Sequence, residues 1–73
     1  MQTFGERIVR ASFNPSESSM VDKIKADHAA LITLLDDLRY KTAGDAARCY
    51  ALAITHLEIA CMFAVKGITA PVE

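Results

Sequence analysis

The sequence predicts an all-α fold, a two-helix antiparallel hairpin preceded by a short N-terminal arm. Two segments of this 73-residue chain have helical composition and spacing, at about 16–40 and about 43–68, and a short turn at 41–44 separates them. A short turn between long helices makes the helices antiparallel neighbours. Residues 1–14 form the arm, and we expect the whole chain, 1–73, to be one domain.

The first helix has a start signal and one apolar stripe. Asn14 is a suitable N-cap, Pro15 suits the first helical position and Glu17 follows three residues past the cap, while Ser19 and Asp22 offer a second, later start. The stripe advances in steps of three and four residues: Val21, Ile24, His28, Leu31, Leu35 and Leu38. Such a stripe predicts a seam against one partner helix.

The second helix is apolar nearly all round, with Thr42 and Asp45 as a capping pair at its start. At about 100° per residue, one sector contains both polar and apolar side chains. The apolar ones are Leu52, Ile59, Met62 and Phe63. Leaving all four in water forfeits about 6–12 kcal/mol, which rivals the whole stability of a small domain, about 5–15 kcal/mol. We therefore predict a homo-oligomer in which other copies cover this helix.

Composition and cysteine placement restrict the class of protein. With 52% apolar and 23% charged residues the chain is globular, and its net charge of −1 argues against a general DNA or RNA binder. The apolar run 49–65 is interrupted by His56 and Glu58 and is short for a bilayer, so no membrane span is predicted. Cys49 and Cys61 are about 18 Å apart along one helix, too far to bridge within the chain. Free thiols and the lack of a signal-peptide pattern indicate a cytoplasmic protein.

No catalytic or metal-binding pattern is recognisable. His28 and His56 lack other ligands at helical spacing, so we expect hydrogen-bonded histidines at helix contacts and no metal. Asp36 and Asp37 point about 100° apart and are expected on a solvated face. No glycine-rich phosphate loop is present, and the thiols are expected to pack as core groups. The sequence predicts neither an enzyme nor a cofactor.

Cations near the arm offer a different chemistry. Lys25 lies about 40° from Val21, at the edge of the seam and near a helix N-terminus, where a phosphate is favoured. The arm brings Arg7, Arg10 and Phe13 towards the same region, and a cation–aromatic–cation set suits a nucleotide. Phe13 could equally staple the helix start. Lys66, in the last turn of the second helix, is accounted for by the helix dipole alone.

Two segments carry a family resemblance. VRASFNPSESSMVDKIKADHAALI, residues 9–32, resembles the start of the small phage anti-CBASS sponge domain, a hairpin shared with some Thoeris anti-defence sponges. ALAITHLEIACMFAVKGIT, residues 51–69, resembles that domain's second helix, with its threonine–x–leucine–glutamate core and a Met–aromatic–Ala–x–Lys step.

The resemblance implies a non-enzymatic protein of the host bacterial cytosol that sequesters cyclic oligonucleotide alarm signals. Its ligands would be cyclic dinucleotides such as cGAMP, with cyclic trinucleotides as a second class, and no DNA. The resemblance also implies interlocked helical homo-oligomers, commonly hexamers built as trimers of dimers. The competing hypothesis is a helical interaction or assembly protein with no nucleotide ligand, whose second helix clasps another protein.

The family positions can be carried over to five residues in this sequence. Phe13 and Lys25 match the arm aromatic and the lysine that hold a cyclic dinucleotide. Lys66 matches the basic residue of a second pocket for cyclic trinucleotides, and the arm would add Arg10 and Asn14. Phe13 lacks a tyrosine hydroxyl, and Lys66 cannot form the bidentate phosphate fork of an arginine.

Overall fold

The computed structural model describes residues 2–10 and 19–70, which form three helices. These are α1, Phe4–Ile8; α2, Ser19–Tyr40; and α3, Gly44–Thr69. The described residues contain no strand, and α2 and α3 pack side by side as a hairpin. The predicted all-α hairpin is confirmed, whereas the helix start predicted at Asn14 and Pro15 lies outside the described residues.

The arm contains a helix that was not predicted from the sequence. Thr3 and Glu6 form a capping box at its start: the Glu6 amide donates to Thr3 Oγ1 at 3.1 Å, and the Thr3 amide donates to Glu6 Oε1 at 2.7 Å. The signal Thr–x–x–Glu was therefore in the sequence. A helix of five residues is not stable alone in water, so α1 depends on its packing against α2.

Gly5 allows α1 to approach α2 closely. Its amide donates to Thr33 Oγ1 at 2.9 Å, which satisfies one of the unpaired amides at the helix start. A Cβ atom on Gly5 would lie 1.8 Å from the carbonyl oxygen of Ala29, closer than any real contact. Only glycine fits at this position.

The core lies where the three helices meet. Its buried members are Val9, Ala29, Ile32, Ile54 and Cys61. Ile32 is completely buried. The arm thus contributes a core side chain, and the hairpin is not closed by its two long helices alone.

The predicted seam on α2 is confirmed in part: Val21 is buried, and Ile24 and Leu35 pack against the core. Leu31 was predicted inside and is 44% exposed, whereas Ala29, Ile32 and Asp36 are buried and were not predicted. The centre of the buried face therefore lies roughly a quarter turn from the centre of the predicted stripe, and the two overlap. The reason is that α2 contacts two helices, α3 and α1, and the small side chain of Ala29 lies where α1 approaches.

Asp36 was predicted to be solvated and is instead 8% exposed. It forms an ion pair with Arg39, one turn further along α2. The guanidinium of Arg39 also lies 5.8 Å from the ring centroid of Phe4, and Arg7 lies at the same distance from that ring. Phe4 thereby fastens the start of α1 to the C-terminal part of α2, while Asp37 is exposed as predicted.

The turn between the long helices uses a different cap from the one predicted. The Thr42 hydroxyl donates backwards to the carbonyls of Leu38 and Arg39, both at 3.3 Å, so it closes α2. Ala43 is the N-cap of α3 and has no side-chain hydrogen bond. Gly44 follows with φ of +65°, a backbone conformation that glycine adopts without strain.

The apolar stripe on α3 is exposed in the single chain, as predicted. Leu52, Ile59, Met62 and Phe63 keep 44–59% of their surface exposed. By length and composition α3 could also cross a membrane. An 18-residue window within it has a mean hydropathy of 1.6, and only 11% of that window is buried. Such a helix in water needs a cover from outside the chain.

Candidate functional site

One cavity lies between the arm, α2 and α3. Its volume is about 650 Å³, within the range of small-molecule sites. The apolar part of its wall is formed by Ile8, Val9, Ile59, Met62 and Val65. Three cations, Arg10, Lys25 and Lys66, line it together with one carboxylate, Glu58.

Arg10 and Lys25 are joined at the arm side of the cavity. Lys25 Nζ donates to the Arg10 carbonyl oxygen at 3.2 Å, and the Arg10 amide donates to the Arg7 carbonyl at the same distance. Arg10 has φ of +55°, a left-handed conformation that costs an L-residue about 1–2 kcal/mol. The bond from Lys25 stabilises this bend and holds the end of the arm at the cavity.

Lys66 reaches the cavity from the last turn of α3. Its Nζ lies 5.4 Å from the ring centroid of Phe63, one turn earlier on the same helix. Phe63 is 59% exposed, so its ring is available for contact beyond the chain. A cation beside an exposed aromatic ring is suited to a phosphate next to a stacked base.

The charge balance of the cavity favours an anion. Three cations face one carboxylate, which leaves a formal charge of +2 among the lining residues. Arg10 and Lys66 are exposed and Lys25 is half-buried, so water screens part of their attraction for an anion. The cavity is still suited to a ligand with two negative charges and an apolar or aromatic body.

Cys61 lines the cavity but is not arranged as a nucleophile. It is 3% exposed, and burial raises the pKa of its thiol above the ordinary value, with the charge of Lys25 acting in the opposite direction. A protonated, packed thiol reacts slowly. Both cysteines are free, as predicted, although Cys49 is exposed in the single chain and not packed in a core.

The histidines bond to their own helices. Nδ1 of His28 lies 2.8 Å from the Ile24 carbonyl, and Nδ1 of His56 lies 2.9 Å from the Leu52 carbonyl. Within residues 2–10 and 19–70, no cluster of three histidine, cysteine or acidic side chains is placed to hold a metal ion.

The structure brings together three of the five site residues expected from the sequence. Arg10, Lys25 and Lys66 line a single cavity of one chain, whereas the resemblance divided Lys25 and Lys66 between two pockets. Phe13 and Asn14 lie outside the described residues.

Glu58 and Met62 line the cavity without having been predicted from the sequence. Their spacing from Lys66, eight and four residues, places all three on one helix face, and this signal was available in the sequence.

Comparison with known protein families identifies the family of this chain. Residues 6–69 match the family model described as Acb2/Tad1, hairpin domain. The match covers most of the chain and every described cation of the cavity, and the chain therefore belongs to this family of anti-CBASS sponges and Thoeris anti-defence proteins. No curated protein and no solved structure matches the chain.

Proposed function

We propose, from this family membership and the cavity, that the protein binds cyclic oligonucleotide second messengers and sequesters them from the immune effectors of a bacterial host. The proposed ligands are cyclic dinucleotides such as cGAMP, and cyclic trinucleotides as a second class. The protein would act in the bacterial cytoplasm, against CBASS-type antiphage defence, without turning its ligand over.

The observation that carries the proposal is the convergence of three cations on one apolar-walled cavity. Arg10, Lys25 and Lys66 come from three separate elements of the chain, so the fold itself collects them. A cyclic dinucleotide presents two phosphates and two bases on one ring. The cations suit the phosphates, and the apolar walls of the cavity suit the bases.

The chemistry of the cavity is consistent with binding a ligand without hydrolysing it. Hydrolysis of a phosphodiester needs an activated nucleophile and a group that protonates the leaving oxygen. The described lining residues offer a buried Cys61 thiol of raised pKa and the single carboxylate of Glu58. These groups support holding the ligand intact.

We further propose that the protein acts as a homo-oligomer, a hexamer built as a trimer of dimers. The exposed apolar stripe of α3, formed by Leu52, Ile59, Met62 and Phe63, supports this because it needs a cover. A two-fold interface suits a two-fold symmetric dinucleotide, and a three-fold axis suits a trinucleotide. The second candidate function, a helical assembly protein without a nucleotide ligand, is favoured by the same stripe.

A charge reversal with a matched control separates the two functions. Lys25→Glu places a negative charge at the cavity, whereas Lys23→Glu changes an exposed lysine two residues earlier that pairs with Asp27 at 3.1 Å. A hydrogen bond to a charged group is worth about 1.5–3 kcal/mol, so Lys25→Glu should weaken cyclic dinucleotide binding by at least about tenfold. Isothermal titration calorimetry measures the affinity, and light scattering measures the assembly.

The two outcomes are distinct. Under the sponge function, Lys25→Glu loses the ligand and keeps the assembly mass, while Lys23→Glu binds like the unmodified protein. If the unmodified protein binds no cyclic nucleotide and both variants assemble normally, the assembly function replaces the sponge.

A further inference from the structure

Two hydrogen bonds hold the arm against α2, one outside the cavity and one at it. The Gly5 amide donates to Thr33 Oγ1, and the missing Cβ of Gly5 leaves room for the Ala29 carbonyl. Five residues further along, the Arg10 carbonyl accepts from Lys25. The arm is therefore held at two points, one at the start of α1 and one at the cavity.

The contact at Gly5 affects the position of Arg10, because α1 is short and Arg10 follows it closely in the chain. The helix has five residues, fewer than are stable alone, so its shape depends on the contact with α2. Arg10 follows two residues after α1 ends, next to the buried Val9, and its carbonyl accepts from Lys25 at 3.2 Å. A loosened α1 would leave Arg10 with these two supports alone and would let its side chain move relative to the cavity.

We infer that Thr33 is a positioning residue for ligand binding, acting through Arg10 without touching the ligand. Thr33 does not line the cavity, and its hydroxyl oxygen accepts from the amide of Gly5, the residue at which α1 approaches the Ala29 carbonyl. The inference rests on the proposed function for its ligand, but the docking of the arm can be tested without one.

Thr33→Val tests the docking first. Valine keeps the shape of threonine and removes the acceptor, which leaves the half-buried Gly5 amide unpaired. Hydrogen–deuterium exchange of residues 4–10 should become about two- to tenfold faster, with residues 44–69 unchanged. Thr42→Val is the matched control, because it also loses a threonine hydroxyl, one that bonds to the α2 carbonyls. Gly5→Ala should accelerate the same amides more strongly, because its Cβ collides with Ala29.

A double-mutant cycle then tests the route through Arg10. Thr33→Val should weaken cyclic dinucleotide binding by about two- to tenfold in the unmodified protein. In an Arg10→Ala background, where the positioned side chain is already missing, the same substitution should change the affinity less than about twofold. A general loss of stability would weaken binding equally in both backgrounds.

Each result has one meaning. Unchanged exchange at residues 4–10 in Thr33→Val overturns the inference whether or not a ligand binds. Equal losses of affinity in both backgrounds overturn the route through Arg10 and leave the sponge function intact. Failure of the unmodified protein to bind, with the exchange result as expected, overturns the sponge function and limits Thr33 to holding the arm.

Discussion

The two long helices differ in how much of their surface the single chain covers. Helix α2 alternates charged and apolar residues and buries four side chains, Val21, Ala29, Ile32 and Asp36. Helix α3 is longer and more apolar, yet it buries only Ile54 and Cys61. The more hydrophobic helix, α3, is thus the less buried one.

This contrast shows which side of the single chain stays exposed. Helix α2 is covered within the chain because it has α1 on one side and α3 on another. Helix α3 packs against α2 on one side, and among the described residues the arm reaches it only at the shared core and at the cavity. Its exposed apolar side is consistent with an interface to another molecule.

The largest effect is expected from a charge on the exposed side of α3. Ile59→Glu should weaken self-association by at least about tenfold, because burial of an apolar side chain is worth about 1.5–3 kcal/mol and the charge adds a desolvation cost. Ala60→Glu places the same charge at the next residue, which is exposed but points about 100° away. Light scattering across a dilution series gives both association constants.

That pair also separates protein cover from lipid cover. If other copies of the chain cover α3, the unmodified protein is oligomeric in detergent-free buffer, and Ala60→Glu affects its association less than Ile59→Glu. A protein that is monomeric in buffer and floats with liposomes would show that α3 enters a bilayer, and the difference between the helices would then have another cause.

The sequence was informative about what each helix is, and less so about what each helix touches. Helix propensity and a short turn are local properties, and they predicted the hairpin. The face of α2 that is buried depends on α1, a helix too short to be visible in periodicity, and so Leu31 was placed inside and Asp36 outside. The exposed stripe of α3 was predicted because it depends on composition alone.

The site shows the same division. Lys25 and Arg10 were grouped from their positions near the start of the first helix, and the structure joins them by a hydrogen bond. Lys66 was connected to the site only by the family resemblance, since its partner elements are 40 residues or more distant along the chain. Helix spacing cannot show that two helix ends meet in space.

A smaller effect is expected at the α3 side of the cavity. Lys66→Arg should raise the affinity for a cyclic trinucleotide by about two- to tenfold, because a guanidinium can form two parallel bonds to a phosphate where an ammonium forms a point contact. Lys41→Arg, an exposed lysine in the turn, serves as the control. Equal affinities for Lys66→Arg and the unmodified protein, measured by calorimetry, would remove Lys66 from the phosphate contacts.

The smallest effect concerns Cys61. Because burial raises the pKa of its thiol, iodoacetamide should leave Cys61 unmodified in the folded protein at neutral pH and modify it after unfolding. Since the folded-state pKa is the higher one, the stabilisation from the neutral thiol is present below the ordinary thiol pKa and declines as the pH rises through the raised, folded-state pKa. Mass spectrometry of the alkylated peptides measures how far Cys61 is modified in the folded and the unfolded protein. Rapid modification of Cys61 in the folded protein would contradict the packing of the core.

The most direct test of the sponge function is native mass spectrometry of the purified protein with a panel of cyclic di- and trinucleotides. We predict one oligomer, a hexamer, that retains about three intact dinucleotides or about two intact trinucleotides. A bare species that ignores every nucleotide, or the recovery of linear products, would contradict sequestration by this protein.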